Sequence, residues 1–330
     1  MDPLVDTFGR VAKNLRVSVT DRCDLRCLYC MPPEGLEWLP RPELLTYEEI
    51  ERLVRIMVRL GVEKVRITGG EPLVRKDLPV LVEKLARIEG LKDLALTTNG
   101  VQLKRFAGDL AAAGLKRINV SLDSLQKDRF FQIVRRDVLE KVLEGLEELE
   151  RHPSISPIKV NVVTMQGVND DEMLEFAKLA MRKPYVIRFI EFMPLDAQEA
   201  WQREQVLTGR EVFERINAYK RLVPIDTSTN SSPDTKYRFE DGSGEIGFIN
   251  SVSEPFCASC DRIRITADGQ FRNCLFALEE TDLKTPMRAG ASDEELAVLI
   301  RQGVWEKWAG HLINQPTFQR PGRSMSQIGG

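Results

Sequence analysis

All six cysteines of this 330-residue chain fall into two groups of three with the spacing of metal ligands: Cys23, Cys27 and Cys30 near the start, and Cys257, Cys260 and Cys274 near the end. A structural zinc is normally held by four Cys or His ligands, and an ordinary iron–sulfur cluster by four thiolates. The chain must therefore fold so that three sulfurs come together twice. The pattern predicts two three-cysteine iron–sulfur sites, each with one coordination position open to a small molecule.

Three alternatives explain the cysteines less well. Disulfides are disfavoured, because a long charged chain without an apolar leader is expected in the cytosol, where thiols are kept reduced. Inert buried cysteines do not explain why all six lie at ligand spacing. A single site, such as zinc, that joins both groups is a further alternative. The two histidines of the chain, His152 and His311, do not lie near either group in sequence.

Composition narrows the class of protein. With 42% hydrophobic residues, the chain has enough apolar side chains for one large domain with an extension, or for two domains. A formal charge of −3 argues against a general nucleic-acid binder, which usually carries a basic excess. No run is long and apolar enough to span a bilayer, so no membrane association is expected. These features predict a cytoplasmic globular enzyme or redox protein.

The first two-thirds of the chain alternates predicted strands with predicted helices. A capping box at Thr46–Glu49 precedes an apolar helical repeat, and Leu139–Leu149 carries another apolar face. Six strand–helix units in order imply a parallel sheet covered by helices. The predicted strands are Leu15–Thr20, Lys64–Thr68, Asp93–Thr97, Arg117–Ser121, Lys159–Val163 and Val186–Phe189.

Between an open doubly wound sheet and a barrel, we favour an incomplete (β/α)6 TIM-like barrel. Polar or glycine-rich residues follow the strand ends, as at Asp21, 69–72, 98–100 and Asp123. In a barrel these loops converge on the C-terminal face, where barrel enzymes keep their active sites. The first cysteine group would then lie in the first loop, at the mouth.

A change of composition at Asp226–Asp234 predicts a boundary between a partial barrel, 1–225, and a β-rich C-terminal extension, 226–330. Within the extension, Lys236–Phe239 and Glu245–Ile249 have the pattern of strands. The turn sequence Ala267-Asp268-Gly269 predicts a hairpin between flanking strands. Such a hairpin would return Cys274 to the side of Cys257 and Cys260.

Arg262 and Arg264 lie two residues apart in the first strand of that hairpin, so both should point to one face. Arginines on an edge strand often serve only solubility. These two begin just after the predicted metal ligand Cys260, and the forked guanidinium suits phosphate. We therefore expect them to bind an anion.

Several motifs resemble a known family. The stretch 15–32 is similar to the radical S-adenosylmethionine signature, and Arg66–Pro72 is similar to the glycine-rich second motif of that superfamily. Phe256–Arg264 and the terminal Gly329-Gly330 narrow the resemblance to the GTP 3′,8-cyclases, which act first in molybdenum-cofactor biosynthesis. The resemblance extends over nearly the whole chain.

The resemblance implies that Cys23, Cys27 and Cys30 hold a 4Fe–4S cluster whose open iron binds S-adenosylmethionine. An electron from this cluster would cleave the sulfonium to methionine and a 5′-deoxyadenosyl radical. Family positions that contact S-adenosylmethionine match four residues here: Tyr29, Gly70, Ser121 and Met193.

The resemblance also implies that the second group of cysteines holds a 4Fe–4S cluster whose open iron binds the guanine of GTP. The radical would remove hydrogen from ribose C3′, and the resulting carbon radical would attack guanine C8 to give 3′,8-cyclo-7,8-dihydro-GTP. Family positions that face GTP match seven residues here: Arg16, Arg66, Thr97, Lys159, Arg262, Ile263 and Arg264. Arg16, Arg66 and Lys159 also stand out because each lies in a predicted inner strand, where an unpaired charge is unfavourable.

The resemblance implies catalytic roles for Arg16, Arg262, Arg264 and the terminal pair Gly329 and Gly330. In this family the tail reaches into the active site and helps to organise the arginines. Without the resemblance, this polar tail would be expected to be disordered. The resemblance further implies a homodimer, a low-potential electron donor such as a flavodoxin-type protein, and cyclic pyranopterin monophosphate synthase as the acceptor of the product.

Two other functions compete with this interpretation. A radical enzyme that modifies peptides would use a similar second cluster, but it leaves Arg262, Arg264 and the Gly-Gly end unexplained. A non-catalytic electron carrier or zinc-binding module needs closed metal sites, which three cysteines do not supply.

Overall fold

The computed structural model describes residues 2–226 and 233–329. Its centre is a run of six parallel strands that pair in chain order, each with the next. This confirms the predicted partial barrel, and the strand positions agree with the prediction to within two residues at either end. The strands are β1 (Asn14–Ser18), β2 (Lys64–Thr68), β3 (Asp93–Thr98), β4 (Arg117–Ser121), β5 (Ile158–Thr164) and β6 (Tyr185–Glu191).

Six helices connect these strands and cover the sheet with their apolar faces. The predicted capping box is present: the Glu49 amide donates to Thr46 Oγ1 at 3.1 Å, and the Thr46 amide donates to Glu49 Oε2 at 2.7 Å. No helix of the described residues has the length and apolar character needed to cross a membrane. The six helices are α1 (Tyr47–Arg59), α2 (Leu78–Ala86), α3 (Leu103–Ala112), α4 (Lys127–Val134), α5 (Leu139–Glu150) and α6 (Met173–Arg182).

The C-terminal part of the chain extends the same sheet at both ends. One of its strands, β10 (Arg262–Ile265), pairs in parallel with β1, and another, β9 (Glu245–Ile249), pairs in parallel with β6. The sheet is thus continuous across the predicted boundary at 225/226. The added elements are α7 (Gly209–Tyr219), β7 (Leu222–Pro224), β8 (Thr235–Phe239), β9 (Glu245–Ile249), β10 (Arg262–Ile265), β11 (Gln270–Arg272), β12 (Thr281–Asp282), α8 (Lys284–Arg288), α9 (Asp293–Trp305) and α10 (Met325–Ile328).

The predicted hairpin joins β10 to β11, which pair antiparallel. Gly269 takes a φ of +81°, a left-handed conformation that glycine adopts without strain. The Thr266 amide donates to the Gln270 carbonyl oxygen at 2.9 Å and closes the turn. Most of the predicted boundary loop, residues 227–232, lies outside the described residues.

Because β10 lies beside β1, the strand that follows Cys260 is an inner strand of the sheet. The consideration that edge-strand arginines serve solubility therefore does not apply to Arg262 and Arg264. A strand flanked on both sides places its side chains alternately on the two faces of the sheet. Ile263 is fully buried on the side away from the cavity described below, whereas both arginines line that cavity.

Candidate active site

A cavity of about 590 Å³ lies along the inner face of the barrel, and its lining extends from the first residues of strands, such as Asn14 and Lys64, to the loops at their C-terminal ends. The expectation that the strand-end loops converge is thereby met. All six cysteines line this cavity, together with most of the other residues that the sequence singled out. Those other residues are Arg16, Tyr29, Arg66, Gly70, Thr97, Ser121, Lys159, Met193, Arg262 and Arg264.

The first group of cysteines occupies the loop after β1. A turn between Cys27 and Cys30, closed by an amide-to-carbonyl hydrogen bond of 2.9 Å, brings these two thiols to one side of the loop. Burial raises the pKa of Cys27, and the neighbouring Cys23 and Cys30 raise it further. Burial also raises the pKa of Cys30 to about 11, although hydrogen bonds from Ser326 oppose the shift.

The second group of cysteines has a different electrostatic environment. Burial by itself raises the pKa of Cys260, but Arg262 and Lys307 more than offset this effect and lower that pKa to about 7. Arg262 Nη2 lies 3.5 Å from Cys260 Sγ, and Lys307 Nζ lies 3.7 Å from it. Two cations beside one thiol stabilise the thiolate, the form that binds metals.

Iron–sulfur clusters fit these thiols better than single metal ions do. All six cysteines are free thiols, which contradicts the disulfide alternative. Across residues 2–226 and 233–329, no three Cys, His, Asp or Glu side chains are arranged to hold one ion. A four-iron cluster attaches each thiolate to a different iron, so its sulfur ligands stand further apart than those of a single zinc. The alternative of one zinc joining both groups is therefore disfavoured as well.

Gly69 and Gly70 follow β2 and are packed against the first cysteine loop. The Gly70 amide donates to the Thr20 carbonyl oxygen at 2.7 Å. A Cβ atom on Gly70 would lie 2.4 Å from the carbonyl oxygen of Asp21 and 2.5 Å from that of Arg22. Glycine is thus required because two backbone segments meet here, and this contact fixes the loop that carries Cys23.

Three arginines form one row across neighbouring strands at the cavity wall. Arg16 on β1 lies in register with Arg264 on β10 and with Arg66 on β2. Burial, together with repulsion from Arg262 and Arg188, lowers the pKa of Arg16 to about 9. Arg66 Nη1 donates to Thr97 Oγ1 at 3.4 Å. Buried cations that repel one another favour the binding of a highly charged anion.

Lys159 on β5 extends this positive wall. Burial and repulsion from Arg188 lower the pKa of Lys159 to about 7, although Asp234 opposes the shift. Lys159 Nζ lies 4.0 Å from Asp234 Oδ2, so one acidic side chain partly balances the cations.

The chain's tail reaches the same cavity. Arg264 Nη1 donates to the Gly329 carbonyl oxygen at 2.6 Å. Gly329 has a φ of +83°, and a Cβ atom there would lie 2.5 Å from Thr68 Oγ1. This position thus admits only glycine. Gly330 lies outside the described residues.

Three further residues at the site were not identified from the sequence. His311 lines the cavity beside Phe276, with 5.2 Å between ring centroids. Lys307 is only 4% exposed, and its Nζ donates to the Cys260 and Arg262 carbonyl oxygens, each at 2.9 Å. Arg188 is a charged residue within a buried strand, the same signal that singled out Arg16 and Arg66. The sequence gives no signal that His311 and Lys307 lie at this site, because both follow the second cysteine group by more than thirty residues.

Comparisons with known proteins agree with this geometry. A family model described as the radical SAM superfamily matches residues 17–180, and one described as Molybdenum Cofactor Synthesis C matches residues 185–313. A Streptomyces coelicolor protein named GTP 3′,8-cyclase is 50% identical over 99% of this chain and 96% of its own length. The chain belongs to the GTP 3′,8-cyclase family. A Rhodopirellula baltica GTP 3′,8-cyclase is 45% identical over 99% of this chain and 92% of its own length.

Solved structures share the fold of this GTP 3′,8-cyclase family member. The crystal structure of Streptococcus suis SuiB bound to S-adenosylmethionine matches with a TM-score of 0.61 at 15% identity, covering 97% of this chain and 78% of that one. SuiB bound to its precursor peptide SuiA matches with a TM-score of 0.62 at 15% identity, over 96% and 76%. At this level of identity the likeness concerns the fold alone.

Proposed function

We propose that this chain converts GTP to 3′,8-cyclo-7,8-dihydro-GTP, the first step of molybdenum-cofactor biosynthesis. One observation carries the proposal: two separate groups of three cysteines line a single cavity whose wall carries a row of three arginines. A radical source, an acceptor site and a phosphate site are the three parts that this reaction needs. Family membership names the same reaction.

The first site would hold a 4Fe–4S cluster on Cys23, Cys27 and Cys30. When bound, this cluster supplies the electron that cleaves S-adenosylmethionine to the 5′-deoxyadenosyl radical. Four residues are proposed to hold S-adenosylmethionine, and they line the cavity together with these cysteines: Tyr29, Gly70, Ser121 and Met193.

Tyr29 is itself held in place by Asp123. Its hydroxyl donates to Asp123 Oδ2 at 2.6 Å, while Asp123 Oδ1 accepts from the Val163 amide at 2.8 Å. This chain of contacts ties the first cysteine loop to β5. The backbone of Tyr29 is therefore presented to S-adenosylmethionine in one orientation.

The second site would hold a 4Fe–4S cluster on Cys257, Cys260 and Cys274, with the guanine of GTP at its open iron. The proposed ligands of the triphosphate are Thr97, the backbone of Ile263 and the cations of the cavity wall. These cations are Arg16, Arg66, Lys159, Arg262 and Arg264, and we add Arg188 to them. GTP carries about four negative charges, which the mutually repelling cations would neutralise. GTP bound there would lie in the cavity that both groups of cysteines line.

The proposed catalytic group is Arg16, Arg262, Arg264, Gly329 and Gly330. Arg262 lies with its guanidinium 4.5 Å from the ring centroid of Phe256, and Arg264 is held by Gly329. Stacking and hydrogen bonding fix each guanidinium before substrate arrives. Arginines held in this way stabilise charge without reorganising during the reaction.

The partners follow from the chemistry of the reaction. Cleavage of S-adenosylmethionine needs a low-potential electron, so we propose a flavodoxin-type donor. The cyclised nucleotide would pass to cyclic pyranopterin monophosphate synthase. We further propose a homodimer that acts in the cytoplasm, and a division of labour between a barrel unit, 1–225, and an extension, 226–330, that contributes the second cluster and the tail.

The decisive experiment is anaerobic reconstitution of the full chain with iron and sulfide. We expect about eight irons per chain, and formation of 5′-deoxyadenosine together with cyclised nucleotide when GTP, S-adenosylmethionine and a reductant are present. ATP in place of GTP is the control and should give no cyclised product. A protein with full iron content that forms 5′-deoxyadenosine equally well with either nucleotide, and no cyclised product, would contradict the proposal.

A further inference from the structure

Arg323 forms a double ion pair six residues before Gly329. Its Nη2 lies 2.8 Å from Asp268 Oδ2 and 2.8 Å from Glu280 Oε2, and its Nη1 and Nε make further bonds to the same two carboxylates, each at 3.1 Å. Glu280 also pairs with the buried Arg272. Two guanidinium groups and two carboxylates therefore form a neutral network at the root of the tail.

The two carboxylates belong to the part of the chain that carries the second cysteine group. Asp268 lies in the β10–β11 turn, and Glu280 directly precedes β12. Between them lie β11 and Cys274. Arg264, the partner of Gly329, is on β10 of the same hairpin. The tail is thus attached to one hairpin at both ends, by Arg323 at the turn and by Gly329 at the strand.

The short helix between these two points cannot hold its own position. α10 (Met325–Ile328) has four residues, and an isolated helix of this length is not stable in water. Burial of Ile328 contributes an apolar anchor, but apolar contacts are non-directional. A guanidinium that pairs with two carboxylates through several hydrogen bonds is directional and fixes the register of the segment.

We infer that Arg323 is a positioning residue for catalysis: its ion pairs to Asp268 and Glu280 set the tail so that Gly329 meets Arg264, which lines the cavity. This inference rests on the proposed role of the tail in cyclisation. Ser326 of the same short helix donates hydrogen bonds to Cys30, a ligand of the first cluster site. Arg323 therefore positions a segment that contacts both halves of the active site.

The test compares Arg323→Met with Arg129→Met in the full-length, cluster-loaded enzyme. Arg129 is a matched control, because it also pairs with two carboxylates, Asp171 and Glu172, and its side chain is 22% exposed against 24% for Arg323. The readouts are hydrogen exchange of the backbone at 324–329, iron content, and cyclised nucleotide formed per 5′-deoxyadenosine.

For Arg323→Met we expect exchange at 324–329 to rise about ten- to a hundredfold, the equivalent of losing charged hydrogen bonds. Cyclised product per 5′-deoxyadenosine should fall by a similar factor while iron content stays unchanged. Arg323→Lys, which keeps the charge but not the fork, should recover part of the loss. Arg129→Met should behave as the unmodified enzyme in all three readouts.

Unchanged exchange at 324–329 in a folded Arg323→Met protein would overturn the inference. If exchange rose but cyclisation were unaffected, Arg323 would still position the tail, and the proposed role of the tail in cyclisation would fail instead. Should Arg323→Met not fold, Asp268→Asn removes one of the two ion pairs at similar size. It should give a smaller change in the same direction, and no change there would equally overturn the inference.

Discussion

The guanidinium of Arg264 donates a 2.6 Å hydrogen bond to the carbonyl oxygen of Gly329, which lies 65 residues further along the chain. Burial, followed by repulsion from Arg16 and Arg262, holds the pKa of Arg264 well below its usual range. The Gly329 carbonyl gives this buried cation a hydrogen-bond acceptor. The end of the chain thereby helps to stabilise a positive charge at the cavity wall.

Gly329→Ala should disable cyclisation without removing the clusters. The new Cβ atom would lie 2.5 Å from Thr68 Oγ1 and 2.9 Å from Ser18 Cβ, at a φ of +83°. We expect at least about a tenfold loss of cyclised product, because an alanine at this φ is strained and the carbonyl that Arg264 contacts would be displaced. Iron content and GTP binding should be retained. Deletion of residues 329–330 should abolish the product.

Gly322→Ala is the control for this substitution, because a Cβ atom there meets no atom within 4 Å. Product formation is measured by chromatography after anaerobic turnover. Full activity in Gly329→Ala or in the truncated enzyme would show that the tail does not take part in the reaction.

The two groups of cysteines should have separable roles. Alanine at Cys23, Cys27 and Cys30 should remove about four irons per chain and abolish cleavage of S-adenosylmethionine. The same change in the second group should also remove about four irons, yet leave cleavage of S-adenosylmethionine in place and prevent cyclisation. Iron analysis and 5′-deoxyadenosine measurement distinguish the two, and loss of all iron in both triple variants would refute two independent sites.

Arg264→Ala should weaken GTP binding by about ten- to a hundredfold, because a charged hydrogen-bonding partner contributes roughly 1.5–3 kcal/mol. Arg262→Ala should have a similar effect on GTP. Binding of S-adenosylmethionine should be nearly unchanged in both. Equilibrium binding to cluster-loaded protein measures the effect, with Arg221→Ala as the control, since that side chain is 72% exposed on the rim of the sheet. Unaltered GTP affinity of a folded variant with intact clusters would remove these arginines from the phosphate site.

GTP binding should involve proton uptake by Lys159. Burial and Arg188 lower the pKa of this amine to about 7 in the unliganded protein, and the charge of bound GTP would raise it. The favourable contribution of Lys159 is therefore full below about pH 7 and is lost as the pH rises through the pKa of the bound state. Calorimetry at pH 7.5 in two buffers of different ionisation enthalpy measures the uptake.

Lys159→Arg keeps the charge but removes the titration, because a guanidinium remains protonated at this pH. The difference in proton uptake between the native protein and this variant isolates Lys159 from the phosphates of GTP. An identical uptake in both proteins would contradict the assignment.

Local patterns in the sequence predicted the barrel strands well. The strand β2 has the predicted ends Lys64 and Thr68, and α1 begins at the predicted capping box. Both features depend on residues within a few positions of one another. The strand follows from the alternation of its side chains, and the helix start follows from the two reciprocal hydrogen bonds between Thr46 and Glu49. The β10–β11 hairpin was predictable for the same reason, because its turn is encoded in three consecutive residues.

Relations between distant segments were not predictable in this way. The sequence placed Arg262 and Arg264 after Cys260, but pairing of β10 with β1 is what brings Arg264 into register with Arg16. Lys307 contacts Cys260 across 47 positions of the chain. No periodicity or spacing signals such a contact, since the partner depends on how the extension folds back.

By itself the sequence predicted two groups of three metal-ligating thiols, and it determined that a parallel barrel precedes a hairpin and to which family the chain belongs. These properties lie in short spacings and periodic patterns that hold in any context. Only the tertiary structure decided that both thiol groups share one cavity, that Arg323 holds the tail, and that Gly329 reaches Arg264. Those relations join segments far apart in the chain, and they arise from the joint burial of side chains that no local pattern connects.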